Sequence, residues 1–209
     1  MEFVDTITTM DELREVIAPP GDLVTAKEVT ELDDYCRDFI ARSPFVLIAS
    51  SDGQGSVDIS PKGDPPGFVR VIDDSTLAIP DRPGNHRADT FVNIVQQPFV
   101  GLIFLIPGTK NTLRVRGRAT IVRDQALRES MAVNGRVPEL ALVVELTTAF
   151  FHCAKCIIRS ELWSAGSGIT DDASGDLLLA ETMVKHGDLA MSVDEMQEII
   201  LNDEAERLY

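Results

Sequence analysis

IPDRPGNHRADTFVNIVQQP, residues 79–98, gathers Arg82, His86 and Arg87 around a Pro-Gly turn where a helix is expected to begin. The expected helix covers 85–96. Asn85, or else Gly84, is placed to cap it, Phe91, Ile94 and Val95 form its apolar stripe, and Pro98 lies just beyond its end. A helix N-terminus presents free backbone N–H groups and about half a positive charge. Two guanidinium groups beside it add forked donors, and the combination suits a phosphate. The plainer alternative pairs Arg82 with Asp81 or Asp89 at the surface, an arrangement that is common and weak.

A basic turn stands out in this chain because its formal charge is −15 over 209 residues. Residues 57–123 hold nine Lys/Arg against six Asp/Glu, a balance of +3, while the remainder holds ten against twenty-eight, or −18. An anionic ligand therefore belongs in the middle of the chain. The acidity elsewhere argues against nucleic acid or an anionic membrane as partner. FVGLIFLI, residues 99–106, is the longest strongly apolar run, far short of the roughly 20 residues of a membrane helix. The N-terminal MEFVDTITTMDELREV has neither a basic nor an apolar export region, and the three cysteines are Cys36, Cys153 and Cys156. Both features lead us to expect a reduced, cytoplasmic protein.

Outward from the turn, short β-rich runs alternate with turn sequences. PFVLIASS, SVDISP, FVRVI and TLAIP precede it, separated by DGQG, KGDPPG and DDS. FVGLIFLI and TLRVRGRATIV follow it. In the latter, Leu113, Val115, Ala119 and Ile121 face one way, and Arg114, Arg116, Arg118 and Thr120 the other. Gly117 falls on the apolar side and marks a bulge or a close contact. Residues 124–132 read as a short helix and 139–146 as a buried strand. The segment 147–163 is ambiguous and leans helical. Residues 164–177 are loop-like, and helical pieces cover 177–186 and 193–206. Capping boxes at Thr9/Glu12, Thr25/Glu28 and Ser192/Glu195 mark helix starts. The second should open a helix whose stripe is Val29, Leu32, Tyr35, Cys36 and Phe39. The expected architecture is mainly β with α+β character: a six-stranded antiparallel split barrel at 43–163, a helical lead-in at 1–42, and C-terminal loop and helices at 164–209.

The order of strand, basic turn, helix, QQP (96–98), apolar strand and LRVRG (113–117) resembles the pyridoxamine 5′-phosphate oxidase superfamily of FMN-binding split barrels. DISPKGD (58–64) stands where that family lays a strand edge and a lysine along the flavin. The similarity covers about residues 40–163, and RPGNHRADT, SPKGD and HCAKC look most like an FMN-dependent subgroup without an assigned substrate. The resemblance implies that Arg82, Asn85 and Arg87 hold the FMN phosphate and that Ser60, Pro61 and Lys62 line the ring. It implies backbone contacts from Ile79 and Pro80, an approach by Thr112, and Lys155 as a cation near the pyrimidine edge. For Lys62 the alternative is a turn lysine paired with Asp64; for Lys155 it is an ordinary surface lysine. The family also implies a homodimer with the flavin in a groove between subunits.

Members that oxidise pyridoxamine phosphate carry a C-terminal Arg-x-His segment. After Trp163 the only potential cations are Lys185, His186 and Arg207, in no such pattern, so production of pyridoxal phosphate is not expected. Hydride transfer between a nicotinamide or small organic substrate and FMN is the expected activity. The alternative is a non-catalytic module holding flavin, deazaflavin or haem. In HCAKC, His152, Cys153 and Cys156 share a face only if the segment is helical. No fourth zinc ligand is evident, and the thiols are expected to be small buried side chains packed on the barrel, with a redox dithiol as the alternative. Trp163 reads as core, and the stripe Met196, Ile199, Ile200 as the packing side of an amphipathic last helix.

Overall fold

The computed structural model describes residues 3–164 and 174–206. Seven strands form one antiparallel sheet: β1 (Phe45–Ser51), β2 (Val57–Gly63), β3 (Arg70–Val71), β4 (Thr76–Pro80), β5 (Phe99–Leu105), β6 (Thr112–Val122) and β7 (Ala141–His152). Their order across the sheet is β2-β1-β5-β6-β7-β4-β3. The sheet wraps around one core yet leaves its two end strands, β2 and β3, unpaired with each other. The antiparallel barrel-like sheet with helices at both chain ends is thus observed, and the two-residue β3 raises the strand count from six to seven.

Alternation explains the wrapping. Val46 and Ile48 of β1, Leu102 and Phe104 of β5, Leu113 and Val115 of β6, and Val144 of β7 are all essentially inaccessible and meet in the core. Gly117 lies on that inner side at a register shift, where Arg116 is opposite Thr148 and Gly117 opposite Leu146. Thr147 is the extra residue, and its hydroxyl donates to the Arg116 carbonyl at 3.1 Å. A Cβ at Gly117 would stand 2.3 Å from the Glu145 carbonyl oxygen, so the expected bulge and the expected close contact occur together.

The helices are α1 (Met10–Val16), α2 (Asp22–Thr25), α3 (Asp34–Arg42), α4 (Asp89–Gln96), α5 (Gln125–Ser130), α6 (Lys155–Ser160), α7 (Ser174–His186) and α8 (Val193–Glu206). The Thr9/Glu12 and Ser192/Glu195 boxes cap α1 and α8 as expected. Thr25 instead closes a helix, its hydroxyl donating to the Asp22 carbonyl. The helix expected after it starts at Asp34, because Asp33 Oδ1 accepts the Cys36 N–H at 2.8 Å. Cys36, Phe39 and Ile40 of α3 then enter the core, while Tyr35 is exposed. Residues 147–152 are strand, not helix: β7 stays paired with β6 to His152, opposite Thr112, and α6 begins only at Lys155. Trp163 is exposed rather than core, and its indole N–H donates to the Thr109 carbonyl at 2.9 Å. α7 and α8 pack on each other, with Ala180 and Met196 buried. Most of the loop expected at 164–177, and Arg207, lie outside the described residues. Among the described residues no helix is long and apolar enough to cross a membrane.

Candidate functional site

A cleft of about 800 Å³ opens between β2, the turn 81–88, the start of α4 and the segment 136–140. Its floor on β2 follows from alternation: Asp58, Ser60 and Lys62 are half-buried, whereas Val57, Ile59 and Pro61 are exposed. The chain leaves β4 at Pro80, and the Asp81 N–H donates to the Leu140 carbonyl at 3.0 Å, fastening the turn to the 136–140 segment.

Arg82 reaches back eighteen residues. Its Nε lies 2.6 Å from Asp64 Oδ2, with side chains 17% and 1% exposed. This buried pair welds the end of β2 to the turn. Arg82 forms its ion pair with Asp64, not with Asp81 or Asp89. The bond uses one of five guanidinium N–H donors, so Arg82 retains donors for the cleft. Asp81 is half-buried there, and that burial raises its carboxyl above the ordinary range against the lowering influence of Lys62 and Arg82.

The helix starts four residues later than its pattern suggested. Asn85 Oδ1 accepts the Arg87 N–H at 3.1 Å, a local turn rather than a helix cap. His86 (φ 60°) and Ala88 (φ 56°) are left-handed, and α4 opens at Asp89 without a side-chain cap. Arg87 is exposed and donates through Nε to Asp89 Oδ2 at 2.8 Å. That hydrogen bond, with the Asp89 charge, raises its pKa. Asn93 Nδ2 donates to Ser50 Oγ at 3.0 Å and holds α4 against β1.

Two polar atoms on the cleft wall are buried without a hydrogen-bond partner, Thr90 Oγ1 and Asp58 Oδ2. Thr90 is only 4% exposed. A buried polar atom left unsatisfied costs on the order of 1–3 kcal/mol, and both atoms border this cleft. The cleft therefore joins fixed cations, orphaned hydrogen-bonding groups and apolar surface from Phe91, Val137 and Leu140.

Of the residues singled out in the sequence, Ser60, Pro61, Lys62, Arg82, Asn85 and Arg87 line this cleft. Ile79 and Pro80 are buried in β4, paired with Leu142 and Ala141, and lead into it. Thr112 is buried at the start of β6, and Lys155 is exposed at the start of α6. Neither lines the cleft of its own chain. Cys153 and Cys156 are exposed rather than packed on the sheet; Cys36 alone of the three is buried. Sequence reading missed Asp58, Thr90 and Arg136. Asp58 was legible as the alternation partner of Ser60 and Lys62. Arg136 was signalled by Asn134-Gly135, whose positive φ values turn the chain so that Val133 and Arg136 bridge.

A family model described as pyridoxamine 5′-phosphate oxidase matches residues 32–153. HupZ of Group A Streptococcus is 21% identical, covering 57% of this chain and 93% of its own, with a TM-score of 0.47. An FMN-binding protein of Syntrophomonas wolfei is 12% identical, covering 68% and 95%, with a TM-score of 0.43. HutZ of Vibrio cholerae, a haem storage protein, is 15% identical, covering 57% and 93%, with a TM-score of 0.40. No curated protein matches the sequence.

Proposed function

The chain belongs to the pyridoxamine 5′-phosphate oxidase family, and from that premise we propose that it is an FMN-dependent oxidoreductase acting on a nicotinamide or small organic substrate. The observation that carries this is the cleft itself, with Arg82, Asn85 and Arg87 on one turn and the orphaned Thr90 hydroxyl beside them. These groups fit a phosphorylated cofactor. Arg82, Asn85 and Arg87 would hold the phosphate, Ser60, Pro61 and Lys62 would line the ring, and Ile79 and Pro80 would flank it through backbone. Bound flavin would supply two-electron redox chemistry. The protein's part is to orient it, exclude water and set the local charge, with Lys62 as the nearby cation.

Arg87→Ala tests the phosphate assignment. Arg87 is exposed, so its loss should cost the fold at most about 1 kcal/mol. A charged hydrogen bond to phosphate is worth roughly 1.5–3 kcal/mol, so the flavin Kd should rise about tenfold to a hundredfold, read by flavin fluorescence. Unchanged affinity would overturn the assignment. Anaerobic bleaching by NADH or NADPH separates an enzyme from a storage or shuttle module. Three free cysteines accord with a cytoplasmic, reducing location.

A second copy of the chain belongs to the same proposal, and it would bring Thr112 and Lys155 to its partner's cleft. Support comes from the sheet's outer face. Val57, Ile59, Phe99 and Ile103 are 68%, 62%, 54% and 36% exposed. Strand register pairs Phe99 with Arg118 and Ile103 with Arg114, and puts Val57 and Ile59 on the same face; none of Arg114, Arg116 and Arg118 makes a carboxylate ion pair among the described residues. Ile59 and Pro61 belong both to this face and to the cleft rim, so a partner seated on the face would also wall the cleft. Sedimentation should show a dimer at micromolar concentration; a monomer that still binds flavin would contradict it.

A further inference from the structure

We propose that Cys153 and Cys156 form a reversible dithiol–disulfide site that reacts with small disulfides. β7 ends at His152, Cys153 follows it, Ala154 turns the chain with φ −72° and ψ −7°, and Cys156 lies in the first turn of α6. Ala154 and Lys155, the two residues between the cysteines, have right-handed helical backbone, a geometry that sets side chains three residues apart at about 5–6 Å, and a disulfide spans about 4.4–6.8 Å between Cα atoms. Both sulfurs are free and both residues are exposed on the chain itself. The segment is also anchored on each side. His152 is registered opposite Thr112 on β6, and beyond α6 the Trp163 indole is bonded to the Thr109 carbonyl. The thiols are thus held near one another rather than carried on a free tail. Lys155 lies between them, inside the ring that oxidation would close.

The exchange is balanced. One thiolate attacks a small disulfide such as oxidised glutathione, forming a mixed disulfide and releasing one glutathione thiolate. The second cysteine thiolate then attacks the mixed disulfide, closes the intramolecular bond and releases the other. Two protein thiols and one glutathione disulfide become one protein disulfide and two glutathiones. A reduced dithiol reverses both steps. Cys36 supplies an internal control. It is buried, and desolvation with the adjacent Asp33 pushes its thiol up to about 12. It should stay unreacted until the protein unfolds. The exchange itself needs no flavin, although in the proposed dimer Lys155 would carry both thiols to the partner's cleft.

The full chain, fully reduced, is incubated with oxidised glutathione, alkylated and examined by intact mass and tryptic mapping. The expected product has lost two hydrogens, carries no glutathione and no longer alkylates at Cys153 or Cys156. Trypsin cuts after Lys155, so the fragments on either side should emerge joined by a disulfide that dithiothreitol cleaves. Cys153→Ser and Cys156→Ser should each halt at a single glutathione adduct, since the resolving thiol is gone. Wild-type protein that retains both alkylatable thiols, persists as a glutathione adduct, or links one copy to another would overturn the proposal.

Discussion

Gly117→Ala is the sharpest test of how the sheet is built. A methyl group there would lie 2.3 Å from the Glu145 carbonyl oxygen, 2.7 Å from Val144 Cγ1 and 3.0 Å from the Glu145 carbonyl carbon. Comfortable non-bonded contacts lie near 3.5–4.0 Å, so the overlap exceeds about 1 Å against backbone. Glu145 is paired on both sides, with Arg118 of β6 and Thr76 of β4. Its carbonyl cannot retreat without loosening three strands at once. The cost belongs at or above the top of the overpacking range, about 3 kcal/mol. For a protein of this size that lowers Tm by about 6–12 °C. Gly101→Ala is the matched control, because a methyl there meets only the Ala49 Cβ at 3.9 Å, and it should change stability by less than about 0.5 kcal/mol. Urea unfolding of both variants, at one protein concentration and free of flavin, would be followed by circular dichroism. Equal stability of Gly117→Ala and its parent would refute the close approach of β6 and β7 at the bulge.

Asp64→Asn should destabilise through Arg82, whose largely buried charge would lose its carboxylate. Removing one partner of a buried pair costs about 3–5 kcal/mol, and Arg82→Gln added to Asp64→Asn should recover part of it in a double-mutant cycle. Asp81 has its folded-state pKa raised by burial, so the folded protein holds that proton more tightly than the unfolded chain. Its contribution to stability is present below the ordinary carboxylate range and is lost as pH rises through the folded pKa. Asp81→Asn should therefore gain Tm over its parent at pH 7, and the gain should vanish below about pH 3.9.

The sheet was legible wherever one face is buried. β6 reads from its sequence as Leu113, Val115 and Ala119 inward and three arginines outward, and the structure reproduces that alternation through the bulge. Two capping boxes were legible because hydroxyl and glutamate lie within one turn. Errors arose where local signals compete. Thr25 and Glu28 have the spacing of a helix start, but a preceding Asp22 lets the threonine hydroxyl close a turn instead. Residues 147–152 hold alanine and phenylalanine at spacings that suit a helix, and only pairing with β6, a non-local interaction, makes them strand. Asn85 carries a capping side chain, yet it spends that oxygen on Arg87 two residues on. In the site, the residues of the turn were readable. The Arg82–Asp64 pair was not, because eighteen residues separate its members and only β2's path brings them together.

Pro61 gives β2 a further meaning. This strand ends the sheet, and a row of free amides at such a border invites any extended segment to dock and lengthen the ladder. A prolyl nitrogen in that row has no hydrogen to offer, so an added strand would meet a gap midway along β2. Growth of the sheet across that border is thereby disfavoured, and with it open-ended fibres.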